Sequence, residues 1–133
     1  MKLLLDTQVF LWMVAGSDRL TPEVRSRICD AHTAVWLSAA SVWELTIKQG
    51  LGRITLPAPA AEFAAAQRQL HDVAPLPIDE AAAAHLAKLP DVHRDPIDRM
   101  LVCQAIEHEL TLVSADPVLR RYPIKLLWAG DAI

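Results

Sequence analysis

Short unbroken apolar runs alternate with helical spacings along this chain. Lys2–Leu5 carries three consecutive leucines and stops at Asp6, the pattern of a parallel strand buried on both faces. Thr7–Ala15 then reads as a helix halted by Gly16 and the polar pair Ser17 and Asp18. Thr21-Pro22-Glu23 opens a second helix, with Thr21 as N-cap and Pro22 at the first helical position. Ala34–Leu37 is the next apolar strand. Ser38 or Ser41 caps a helix running to about Gln49, which Gly50 and Gly52 end.

Leu56-Pro57-Ala58-Pro59 is a stiff lead into an Ala-rich helix around Ala60–Leu70. Val73–Ile78 holds a short predicted strand interrupted by Pro75 and Pro77. Asp79 caps a helix over Glu80–Lys88, and Asp95, before Pro96, caps another that reaches about Glu109. Leu112–Ser114 is a strand, Pro117–Arg121 a short helix and Lys125–Trp128 a last strand. Strands alternating with helices in this order describe an α/β sandwich around a mostly parallel sheet. No repeat, low-complexity tract or linker divides the 133 residues, so one domain spanning 1–133 is expected.

Composition sharpens the picture modestly. Hydrophobic residues make up 53%, above the roughly 45–50% of ordinary soluble domains, which favours a filled core over disorder. The formal charge of −3 argues against gripping nucleic acid through a bulk positive field, while leaving room for a local basic groove. The two cysteines, Cys29 and Cys103, lie in apolar helical contexts and read as reduced, buried thiols of a cytoplasmic protein. Lys2, the leucine run and Val9–Val14 loosely imitate a signal peptide, but Asp6 interrupts the apolar stretch and the basic segment is a single lysine. No stretch approaches the ~18 apolar residues of a membrane span.

The acids fall in a telling way. In an open parallel sheet, ligands bind beyond the carboxyl ends of the strands. Asp6 directly follows the first strand, and Asp116 comes two residues after the strand Leu112–Ser114. Glu44 sits in the first two turns of the helix after the second strand. Asp95 and Asp98 share one helix face at i, i+3 spacing. Four distant segments thus aim carboxylates at one sheet edge. Clustered carboxylates raise one another's pKa and call for a compensating cation; hard oxygen donors suit Mg²⁺ or Mn²⁺. Such ions serve phosphodiester hydrolysis. Each acid also has a plainer reading, since Asp6, Asp95 and Asp116 stand where helix N-caps stand, Glu44 could be a surface acid and Asp98 could pair with Arg94 or Arg99.

Other chemistries find less support. The five histidines show no HxxxH spacing, and no CxxC pair accompanies them. Among them His93 lies beside the acids and reads as a loop or helix-entry residue, with a direct catalytic role the sharper alternative. Gly50 and Gly52 lack the Gly-Lys-Ser/Thr of a phosphate loop, and Ser38 and Ser41 lack a paired His and Asp. A haloacid-dehalogenase-like phosphatase would want a second Asp two residues after Asp6, where Gln8 stands. Trp12, Trp36, Trp43 and Trp128 sit in apolar stretches and read as core or interface, with base stacking the sharper alternative. Lys48, Arg53, Arg94 and Arg99 are candidates for a phosphate track, Lys48 and Arg99 first by proximity.

Leu3-Leu4-Leu5-Asp6-Thr7 with Trp12 resembles the opening of PIN-domain ribonucleases. Ser38-Ala39-Ala40-Ser41-Val42-Trp43-Glu44-Leu45 with Lys48 and Gly50 resembles their second motif. His93-Arg94-Asp95-Pro96-Ile97-Asp98-Arg99-Met100-Leu101 is similar to the third, and Leu112-Val113-Ser114-Ala115-Asp116 to the fourth. The motifs run in family order over almost the whole chain, and the length suits VapC-type toxins of bacterial toxin–antitoxin pairs. The resemblance implies a PIN-like three-layer sandwich and an endoribonuclease dependent on Mg²⁺ or Mn²⁺. It further implies an RNA substrate, a cognate antitoxin and a homodimer. It assigns Asp6, Glu44, Asp98 and Asp116 to catalysis and metal binding. Thr7 and Ser114 would orient the acids or a metal water, Asp95 would support them or cap the helix, and Lys48, Arg53 and Arg99 would contact RNA. The rival is a non-catalytic PIN-like module that binds RNA or protein through the same acidic pocket.

Overall fold

The computed structural model describes residues 1–130. Five strands form one parallel sheet: β1 (Lys2–Leu5), β2 (Ala34–Ser38), β3 (Ala74–Leu76), β4 (Thr111–Ser114) and β5 (Leu126–Trp128). Their order across the sheet is β3-β2-β1-β4-β5. The chain builds outward from β1 on one side, then crosses back to place β4 on the other. β1 is therefore the switch point, where crossovers diverge and leave a crevice beyond the strand ends.

Six helices cover the sheet: α1 (Thr7–Ala15), α2 (Pro22–Ile28), α3 (Ala39–Gly50), α4 (Ala60–His71), α5 (Glu80–Ala84) and α6 (Pro96–Glu107). The pleat sends successive residues of β1 to opposite faces. Leu3 and Leu5 join Val9, Phe10, Val24, Ile28 and Phe63 in one buried cluster. Leu4 and Leu112 join Leu101, Val102, Ala105 and Leu119 in the other. The result is the three-layer sandwich, with the sheet wholly parallel rather than mostly so.

Most caps stand where the sequence put them. Asp6, Thr21, Asp79 and Asp95 each accept a backbone N–H at a helix start, and of the two serines offered for α3 it is Ser38. Gly16 ends α1 at φ 63, a left-handed conformation that disfavours a side chain. Differences are local. The helix expected over Glu80–Lys88 is α-helical only to Ala84 and continues as a 3₁₀ turn over His85–Lys88. Pro90 forces Leu89 into extended backbone, and the last turn tightens to i, i+3 bonding before it. Pro117–Arg121 is likewise a 3₁₀ turn. β3 shrinks to three residues at the sheet edge, where Pro75 is tolerated.

One burial expectation fails, and Trp43 falls on the interface side of its reading. Cys29 is exposed, because it caps the C-terminus of α2 one residue past the last buried turn; Cys103 is buried, and both thiols are free. Trp43 is 66% exposed, on a stripe of α3 with Ile47 and Leu51 that turns away from the sheet. No helix among the described residues is long and apolar enough to cross a membrane.

Candidate metal centre

Asp6 leaves β1 at the switch point and caps α1. Its backbone N–H donates to the Val113 carbonyl (3.0 Å), which fixes the end of β1 against β4. Oδ1 accepts from Val9 N–H (2.7 Å), and Oδ2 accepts a short hydrogen bond from the Ser114 hydroxyl at the end of β4. The side chain is buried. Burial pushes its pKa up to about 6; the Ser114 and Val9 donors oppose the rise, and the nearby Glu44 and Asp116 charges add to it.

Asp98 reaches the same place from the first turn of α6. Asp95 caps that turn, its Oδ1 accepting from Ile97 N–H (2.9 Å) and Asp98 N–H (3.4 Å). The Asp98 pKa is pushed up to about 7, first by burial, then by the Asp95 and Asp6 charges; His93 pulls it down and Glu44 adds a smaller rise. Asp116 caps the following 3₁₀ turn through Oδ1, which accepts from Val118 N–H (3.0 Å). Its own N–H donates to Ser114 Oγ (3.0 Å), so one serine braces two of the acids. Glu44, mostly covered on α3, has Lys48 Nζ 3.4 Å from Oε2 one turn on.

Asp6, Glu44, Asp98 and Asp116 all line one cleft of about 490 Å³, together with Asp95 and Thr7. His93, read from sequence as a loop or helix-entry residue with a catalytic role as the alternative, stands among them. Its Nε2 lies 2.9 Å from Asp116 Oδ2 and 3.0 Å from Asp98 Oδ2. The Asp95 N–H donates to Nδ1 (3.3 Å), which leaves the proton of the neutral ring on Nε2, between the two carboxylates. His93, Asp98 and Asp116 each offer one ligand atom, all within 4.8 Å of one another.

A family model described as the PIN domain matches residues 3–125. The chain belongs to the PIN-domain family. Ribonuclease VapC16 of Mycobacterium tuberculosis is 35% identical over 63 residues, a match spanning 47% of this chain and 45% of that protein, less than half of its length. The crystal structure of VapBC2 from Rickettsia felis bound to a promoter DNA fragment superposes with a TM-score of 0.72 at 14% identity, covering 96% of this chain and 98% of that one. The crystal structure of FitAcB from Neisseria gonorrhoeae gives a TM-score of 0.64 at 20% identity, with 96% and 97% covered. At these identities the likeness speaks to fold.

Against the PIN pattern, the structure brings the four expected acids into one cleft and turns one neighbour away. Ser114 holds Asp6 as expected of an orienting hydroxyl. Thr7 lines the cleft as well, and its hydroxyl donates to Ser41 (2.9 Å), tying α1 to α3. Lys48 and Arg53 line the cleft, whereas Arg99 does not. Arg99 follows Asp98 and so points about 100° around the helix, where its charge acts on the buried Cys103 thiol one turn on.

Proposed function

We propose that this PIN domain is a divalent-metal-dependent endoribonuclease and the toxin of a toxin–antitoxin pair. The convergence of Asp6, Glu44, Asp98 and Asp116 on one cleft at the switch point carries the reading. Two of these acids titrate far above the usual carboxylate range, raised first by burial and further by the charges of neighbouring carboxylates. Their oxygens fit a hard cation, Mg²⁺ or Mn²⁺, and the four acids would hold it. When bound, such an ion polarises a phosphodiester and lowers the pKa of an attacking water.

The remaining work falls to the chain's own groups. Ser114 Oγ and Val9 N–H lock the Asp6 carboxylate, and the Asp95 cap fixes where the first turn of α6 projects Asp98. His93 Nε2 holds Asp98 and Asp116 at a set separation. Lys48 and Arg53 on the cleft wall attract the RNA backbone and offset the acids' repulsion of phosphate. The named ribonuclease among its relatives and the toxin–antitoxin complexes among its fold neighbours support the substrate class and an antitoxin partner. Exposed Trp43 and Ile47, lining an apolar groove of about 570 Å³, support a protein partner or a second copy. We read the chain as one nuclease domain acting in the cytoplasm, where RNA and antitoxin are made.

The test is direct. Purified protein incubated with RNA and Mn²⁺ should produce discrete fragments, abolished by chelator and by Asp98→Asn. RNA left intact with both Mg²⁺ and Mn²⁺ removes the ribonuclease reading. Mapping the new RNA ends in expressing cells would name the target.

A further inference from the structure

The acid cleft has a neighbour of different chemistry. A second cleft of about 530 Å³ opens on the other side of Trp12, and Trp12 and Ala115 line both. Its remaining walls are Trp128, Pro117, Ala129, Gly130 and one charged residue, Arg19. No carboxylate lines it among the described residues. We propose that this cleft seats a nucleobase of single-stranded RNA next to the phosphodiester held at the acids. The inference rests on the ribonuclease reading and names the form of substrate that reading leaves open.

The cleft is rigidly tied to the acids. Trp128 of β5 is the register partner of Ser114, the residue whose hydroxyl holds Asp6, and Ala129 N–H donates to the Ser114 carbonyl (2.8 Å). The Trp128 ring is fixed in turn. The Arg120 guanidinium lies 3.6 Å from its centroid, and a Cβ on residue 130 would stand 2.3 Å from a ring carbon, so only glycine admits the indole there. Trp12 rises from α1 three residues after Val9, whose N–H binds Asp6. Both indoles are therefore positioned by the same backbone that positions the carboxylates.

Charge favours the same occupant. Arg53 lines the acid cleft and Arg19 the aromatic one; both are exposed, and neither has a carboxylate in ion-pair range among the described residues. A strand lying across Trp12 would meet cations at either end, acids at its scissile phosphate and indoles at an adjoining base. Aromatic walls accept the π-face of any base, while an arginine can bond its edge or the next phosphate. A base can enter only when unpaired, which selects loops and single strands over duplex.

The test uses the full chain in chelator, with the four nucleoside 5′-monophosphates as probes and ribose 5-phosphate as the control without a base. Nucleotides should quench tryptophan fluorescence saturably and shift the Trp12 and Trp128 indole N–H signals, whereas ribose 5-phosphate should not. Trp12→Leu and the exposed Arg19→Ala should each weaken nucleotide binding about tenfold, and should raise KM for RNA cleavage more than they lower kcat. Ribose 5-phosphate matching the nucleotides, or Arg19→Ala and Trp12→Leu both leaving nucleotide affinity unchanged, overturns the base cleft. RNA cut normally alongside either result leaves the ribonuclease reading standing without it. Nucleotides bound as expected by a protein that cuts no RNA would uphold the nucleobase site and remove the nuclease instead.

Discussion

Replacing Asp6 by Asn should make the metal-free protein more stable at pH 8 and leave it unable to gain from metal. The Asp6 carboxyl titrates at about 6 in the fold against 3.8 for the free side chain. An acid whose pKa is raised by folding binds its proton more tightly in the native state. Its contribution is therefore favourable below the unfolded pKa and is lost as pH rises through the folded one. At pH 8 the buried charge costs about 3 kcal/mol. Asn keeps an oxygen for the Val9 N–H, but its NH₂ faces the Ser114 hydroxyl, whose own proton then lacks an acceptor, a loss of about 1 kcal/mol. The net gain is about 2 kcal/mol. For a chain of 133 residues that corresponds to a rise in Tm of about 7 °C.

Thermal unfolding of both proteins in chelator, at pH 5 and pH 8, measures this. At pH 5 about half of the penalty has gone and the advantage should fall below about 1 kcal/mol. Adding Mn²⁺ at a hundredfold its dissociation constant should then stabilise the wild type by about 2.7 kcal/mol and the Asn variant far less. An Asn variant no more stable than wild type at pH 8, or equally favoured at both pH values, would refute the account of Asp6 as a carboxylate buried for a cation.

Asp98→Asn should abolish metal-dependent cleavage, while Asp95→Asn keeps the helix cap and most activity; the reverse result in an RNA assay would exchange their roles. Asp95→Ala should cost about 1 kcal/mol in denaturant unfolding through loss of the cap. Ser114→Ala removes the donor to Asp6 and the acceptor for Asp116 N–H, and should weaken Mn²⁺ binding by about tenfold or more in calorimetry. His93→Ala should lower Tm in chelator by a few degrees and much less with Mn²⁺ present, because a bound cation takes over the separation of Asp98 and Asp116; an equal loss in both conditions would make His93 a purely structural residue.

Much of this site is legible because its acids hang on features that sequence reveals directly. Leu3–Leu5 and Leu112–Ser114 are apolar runs that only a buried strand explains, and Asp6 and Asp116 follow them with almost no intervening freedom. Residues whose aim depends on helix phase were harder. Arg99 adjoins Asp98 yet faces elsewhere, while Arg53, eight residues past the end of the Glu44–Leu45 pair, reaches the cleft from the loop after α3. His93 lies in an irregular segment with no periodicity to orient it, so only the tertiary structure places its ring. Thr7 donates to Ser41, a partner 34 positions away.

The cap and the metal-site readings of Asp6 and Asp116 looked like competitors on sequence, and the geometry makes them compatible. A carboxylate has two oxygens, and an N-cap needs one. Asp6 gives Oδ1 to Val9 and keeps Oδ2 toward Ser114; Asp116 gives Oδ1 to Val118 and turns Oδ2 toward His93. Binding the first oxygen to a helix N–H fixes the second in direction, at a helix end whose partial positive charge eases the concentration of negative charge. Capping is thus how these two acids are aimed. A substitution that spares the charge but breaks the cap geometry, Asp116→Glu for example, should therefore weaken metal binding nearly as much as removing the charge, and an Asp116→Glu variant with unchanged Mn²⁺ affinity would show that the caps do not aim the site.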